Sequence, residues 1–136
     1  MVFMFESTAT IQYRNDKEGP WVTAWMDQKI LDYYFTFIPR HYRVNKPRWK
    51  AHATVVRPED NPTIENWSKH NGEKIELIYD PYLWVDDERG MWWFNLWSQV
   101  MEQIRIELNC TIVSRITKPP RPGYNKCFHC TIATSF

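Results

Sequence analysis

At 136 residues and a net charge of +1, the chain reads as one domain (1–136) able to bury a core, without the charge excess that holds a long nucleic acid by its phosphates. No apolar run reaches the ~18 residues of a membrane helix, and three cysteines make no disulfide framework, so a cytoplasmic protein with reduced thiols and no membrane contact is expected. Eight Trp, seven Tyr and seven Phe exceed what such a core draws, so some rings should line a site or a homo-oligomer interface.

The start, Met1 to Glu6, lacks the cationic flank of a signal peptide. Residues 1–19 read as irregular or as a short edge strand, best at 8–13, and 15–20 is a polar break. A strand is expected at 21–26. Asp27 can cap the helix that follows to 38, where Ile30, Leu31, Tyr34, Phe35 and Ile38 recur at the helical period and Pro39 stops it. A basic, irregular stretch from Arg40 leads into a strand at 49–57, and 58–72 is a polar loop. Alternation predicts a strand at 74–79. Segments 82–85 and 91–96 flank the turn Asp87-Glu88-Arg89-Gly90 as a hairpin. A second helix is expected at 98–108, with Val100, Met101, Ile104 and Leu108 as its apolar stripe and Asn109 as its stop. A strand is expected at 111–116, the Pro-rich segment 118–126 must be irregular, and a last strand should run over 127–134.

Strand, helix, connection and strand thus occur twice, over 21–57 and 91–134. The expected fold is α+β: two pseudo-symmetric lobes of antiparallel-rich sheet with outer helices and a central cleft.

Two of these strands carry nearly the same words, Ala51-His52-Ala53-Thr54-Val55-Val56 and Phe128-His129-Cys130-Thr131-Ile132-Ala133. Residues two apart on a strand share a face, so each pairs an imidazole with a hydroxyl. Singly, such a pair is an ordinary core strand; twice, it is a pair of half-sites for phosphoester chemistry. In-line displacement at phosphorus needs a proton removed from the entering oxygen and one supplied to the leaving oxygen, and imidazole suits both roles near neutrality. Thr54 and Thr131 can donate to the non-bridging oxygens. No metal or other cofactor is then required. The nucleophile could be a ribose 2′-hydroxyl or water, and either His could be the base. Cys127 and Cys130 frame His129 as C-x-x-C, but three-residue spacing on a strand sends two thiols to opposite faces, which argues against a zinc site. His41 and His70 fall in loop sequence and are expected to be solvated.

The paired motifs, His52-Ala53-Thr54-Val55 and His129-Cys130-Thr131-Ile132, with the duplicated halves, resemble the 2H phosphoesterase superfamily over residues 20 to 135. Gly19-Pro20-Trp21, Asp27 to Tyr34, Trp49 to Arg57, Met91-Trp92-Trp93-Phe94 and Phe128 to Ile132 resemble its compact phage members, some of which are anti-CBASS nucleases. The resemblance implies His52 and His129 as general acid and base, Thr54 and Thr131 as the residues that bind the phosphate, and 3′–5′ bonds of cyclic di- or trinucleotides as the substrate, in the cytoplasm of a bacterial host. Nucleobases stack on aromatic rings, so Tyr13, Trp84 and Tyr124 are candidate base contacts, while Trp21, Trp25, Trp93 and Trp97 are expected to be packing residues. Lys50, Arg121 and Lys126 are candidate phosphate contacts. The alternatives are an enzyme acting on 2′,3′-cyclic phosphate ends of RNA and a non-catalytic protein that sequesters a nucleotide.

Overall fold

The structure, a computed structural model, describes residues 4–114 and 117–135. Residues 1–3 of the start, and Arg115 and Ile116 of the expected strand at 111–116, lie outside the described residues.

Turn chemistry sets the first hairpin. β1 (Phe5–Asp16) and β2 (Gly19–Met26) are joined by Lys17 and Glu18 alone; the Asp16 carboxylate accepts from the Glu18 N–H at 2.9 Å, and Gly19 takes φ +111° to re-enter the ladder. The stretch expected to be irregular or an edge is therefore a 12-residue strand, paired on both sides with β2 and with β4 (Lys74–Tyr79). The next two elements follow the expected punctuation. Asp27 caps α1 (Gln28–Phe35) by accepting from the Lys29 N–H at 3.0 Å, and β3 (His52–Val56) returns beside β2. The helix stops three residues earlier than expected, in tightened turns from Thr36 to Ile38.

β5 (Trp84–Asp86) and β6 (Met91–Trp97) form the expected second hairpin. Ser98 caps α2 (Gln99–Glu107), accepting from the Met101 N–H at 3.3 Å, and β7 (Phe128–Thr134) pairs with β6. Residues 111–114 are not a strand; their contacts include the Thr111 carbonyl taken by the Arg105 side chain.

Among the described residues the sheet has seven antiparallel strands in the order β4-β1-β2-β3-β7-β6-β5, and β4 also pairs with β6 through Ile78–Trp97 and Tyr79–Leu96. Six strands therefore close on themselves, with β5 beside β6. The α+β class expected from the sequence holds. The two similar units, β2-α1-β3 and β6-α2-β7, are exchanged in their packing: α1 lies on β7, and α2 lies on β3 and β4. One buried cluster therefore includes Leu31 and Tyr34 of α1, Met101 and Ile104 of α2, and Ala53 and Cys130 of the His strands. No helix among the described residues is long and apolar enough to cross a membrane.

Candidate active site

β3 and β7 are neighbours, registered at Ala53–Cys130, and both of those side chains are fully buried in the core. Alternation then turns His52, Thr54, His129 and Thr131 to the other face. In antiparallel register His52 comes beside Thr131, and Thr54 beside His129. The two histidines are diagonal neighbours, which in a regular ladder stand about 7–8 Å apart. All four side chains line one cavity of about 350 Å³. The half-sites are thus side by side on one continuous sheet.

Each His-x-Thr is followed by a bulge at the same place. Val22 and Thr23 pair with Val56 and Thr54, leaving Val55 extra; Trp92 and Trp93 pair with Ala133 and Thr131, leaving Ile132 extra. The bulge resets alternation, so two successive residues are buried after each motif, Val55-Val56 and Ile132-Ala133. That is the structural reason for the apolar pair that follows each Thr.

His52 Nδ1–H donates to the Lys50 carbonyl at 2.7 Å, since a carbonyl can only accept, and this leaves Nε2 for chemistry. Trp25 of β2 packs on the His52 ring at 5.3 Å between centroids, and Trp93 of β6 meets His129 nearly edge-on at 5.8 Å and 75°.

The cavity is cationic, although the chain is nearly neutral. Arg57, Arg105 and Lys126 line it against one carboxylate, Asp60. Arg105 is buried on α2; it donates to the Val55 carbonyl at 2.7 Å, to the Thr111 carbonyl at 2.6 Å and to Asp60 at 3.1 Å. It thereby braces the bulge next to Thr54. Partial burial pushes the Asp60 carboxyl up, but the Arg57 backbone N–H and Arg105 outweigh it and hold Asp60 below the usual carboxylate range. Loss of hydration, with Lys126 and Arg57 adding like charge, holds His129 below the ordinary imidazole value. Lys126 is likewise held below the ordinary lysine value, mainly by desolvation and then by Arg105.

Two further cavities adjoin this one. Beyond His52, about 250 Å³ is lined by Trp21, Trp25, Trp49, Thr23 and Arg14. Beyond His129, about 560 Å³ is lined by Trp84, Trp93, Asn95, Lys118 and Lys126. A larger cavity, about 700 Å³, lies elsewhere between α1 and the β4–β5 connection. It is lined by Tyr33, Tyr34, Phe37, Tyr79 and Tyr82 with Lys29 and holds no histidine, so it offers no pair for proton transfer at phosphorus.

Of the residues singled out from sequence, His52, Thr54, His129, Thr131, Lys126 and Trp84 meet in these adjoining cavities. Tyr13 does not: it lies opposite core residue Val22 and packs against Trp67 at 5.2 Å. Tyr124 and Arg121 line a separate cavity with Glu6 and Glu76. Lys50 contributes its carbonyl to His52, and its side chain lines none of the cavities around the histidines. Trp97 is buried, as expected of a packing residue, whereas Trp21, Trp25 and Trp93 border the site. His70 is not solvated; it bridges Glu73 and Glu107 at 2.7 and 2.9 Å. Cys127 and Cys130 are free thiols in different buried clusters, pushed up by burial to about 11 and about 12. Among the described residues no group of three or more His, Cys, Asp or Glu could hold a metal ion.

Arg57, Asp60, Arg105 and Trp49 were missed by sequence reasoning. Their one signal was proximity to the first motif, for Trp49 and Arg57; nothing local marks Arg105 as facing β3. No protein-family model, curated protein or solved structure matches the chain.

Proposed function

We propose that the chain is a 2H-type phosphodiesterase that cleaves 3′–5′ bonds of cyclic di- and trinucleotides without a metal, serving a phage against the nucleotide signals of its bacterial host. One observation carries the reading: two His-Thr pairs on neighbouring strands face one cationic cavity. A bilobal description suits the two strand-helix-strand units, each contributing one pair.

A phosphodiester seated there would receive hydrogen bonds from Thr54 and Thr131 and charge from Arg57 and Lys126. His129, held below the ordinary imidazole value by lost hydration and then by Lys126 and Arg57, suits the base: it takes the proton of the entering 2′-hydroxyl or water as the new P–O bond forms. His52, whose Nδ1–H is tied to a carbonyl, suits the acid: its Nε2 proton goes to the leaving oxygen as the old P–O bond breaks. The Trp-lined cavity beside each histidine offers a stacking surface on either side of the phosphate, which favours a substrate with a base on each side.

The test is a panel of cyclic di- and trinucleotides incubated with wild type, His52→Ala and His129→Ala, with and without chelator, and products resolved by chromatography. Cleavage that survives chelator and disappears in both variants supports the reading. Intact rings with opened 2′,3′-cyclic phosphate RNA ends would move it to RNA-end processing. A stoichiometric ligand recovered unchanged would make the protein a sequestering one. Cleavage lost to chelator alone would overturn the two-histidine mechanism.

A further inference from the structure

The buried acid of α2 has no part in the chemistry above. Glu102 is 4 % exposed on the helix that packs behind β3. Both of its carboxylate oxygens are engaged by one short segment: they accept from the Asn125 N–H at 2.9 Å, from Asn125 Nδ2 at 3.0 Å and from the Lys126 N–H at 3.3 Å. These three bonds fall in the Pro-rich connection that the sequence leaves without regular structure. They fasten it at the two residues preceding Cys127, immediately before β7 begins. Lys126 then lines both cavities that meet at His129.

A carboxylate left in the interior is costly unless its acceptors are filled. Here they are filled by backbone and side-chain donors of a loop that has no ladder of its own. We infer that Glu102 is a positioning residue: it latches residues 125 and 126 to α2, so that the Lys126 ammonium is held in the cavity against His129. The inference rests on the proposed phosphodiesterase reading only for its consequence in catalysis; the latch itself is read without activity. The charged and titratable groups that line the two cavities with His129 are His52 of β3, Arg57 and Asp60 after it, Arg105 of α2, Lys118, Lys126 and Cys127. Of these, Lys126 belongs to the segment Glu102 holds, and after lost hydration it adds to what holds His129 below the ordinary imidazole value.

The test is an NMR titration of His129 in the substrate-free protein. Lys126→Gln should move the His129 midpoint upward. Glu102→Leu, which keeps the bulk and removes the acceptors, should move it upward by a similar amount. The double variant should move it no further, because both changes remove the same ammonium from the cavity. Glu102→Gln can keep these bonds with the Asn125 amide turned over, and should restore the wild-type midpoint. Asn125→Ala, which leaves the helix intact, should give a smaller shift of the same sign and decides the matter if Glu102→Leu does not fold. Shifts that add in the double variant, or a midpoint unmoved in Asn125→Ala and Glu102→Leu, overturn the latch. If the His129 shifts appear but no nucleotide is cleaved, the latch stands and the phosphodiesterase reading fails.

Discussion

A single side chain in this site acts through its neighbours' charge as much as through its own atoms. His129 is below the ordinary imidazole value because of lost hydration, Lys126 and Arg57, so it is available as a base through neutrality and is protonated only on acidification. The acid limb of kcat/KM should therefore lie below about 6.5, and Lys126→Gln should move it upward, since removing a cation makes the imidazolium less costly. A limb unmoved by that change would detach Lys126 from the base. Thr54→Ala and Thr131→Ala should each lower kcat by roughly 10²-fold, as loss of a transition-state donor does, while the melting temperature changes little. An unchanged kcat in both would remove the hydroxyls from the proposed mechanism. Arg105→Met tests the brace behind Thr54: three oxygens lose a charged donor, and unfolding free energy should fall by about 2–4 kcal/mol in denaturant titrations.

At the scale of elements, the connection between β3 and β4 is tied down at several points. Thr63 N–H reaches the Leu108 carbonyl, Gly72 N–H the Ile11 carbonyl, and His70 bridges Glu73 to Glu107 at the end of α2. That connection begins with Arg57 and Asp60, which line the cavity of the two histidines. Partial burial would lower the His70 value, yet the hydrogen bonds to Glu73 and Glu107 outweigh it and raise the imidazole above 6.5. A group raised on folding stabilises below its unfolded value and loses that contribution as pH rises through its folded value. The difference in melting temperature between wild type and His70→Gln should therefore be largest below about pH 6.5 and shrink as the pH rises above it. A difference that grows with pH would mean that His70 is not the charged partner of the two glutamates. The elements themselves were largely legible. Asp27 announced the first helix start, the second helix begins within a residue of the expected 98, and alternation marked β4 residue for residue. The full length of β1 was not, because its tip at 14–16 is polar and exposed and is held by its ladder to β2 and by the Arg14 guanidinium over the Trp21 ring at 5.6 Å, contacts with another segment that alternation within one segment does not encode.

Across the whole molecule, the exchange of helices binds the two similar units into one core. With α1 on β7, α2 on β3 and β4, and β4 paired with β6, neither unit keeps its own apolar cover if the other opens. Unfolding should be a single cooperative transition, coincident by Trp fluorescence and far-UV circular dichroism; two separated transitions would show that the halves are independent. Phe94→Ala, at a fully buried ring of that shared core, should cost about 3–5 kcal/mol.

The amino-acid order by itself determined the repeated His-x-Thr words, the strand and helix periods around them, and hence the chemistry that two imidazoles and two hydroxyls can perform. These are local properties: residues two apart on a strand share a face whatever the strand pairs with. Only the tertiary structure decided that β3 and β7 are neighbours, that Arg57, Arg105 and Lys126 converge on the same cavity, and that Trp25 and Trp93 flank the histidines while Tyr13 and Tyr124 do not. Strand register and the face of a helix that meets a sheet are set by contacts between segments far apart in the chain, and a surface arginine and one that braces a His-x-Thr strand are the same letter until that packing is formed.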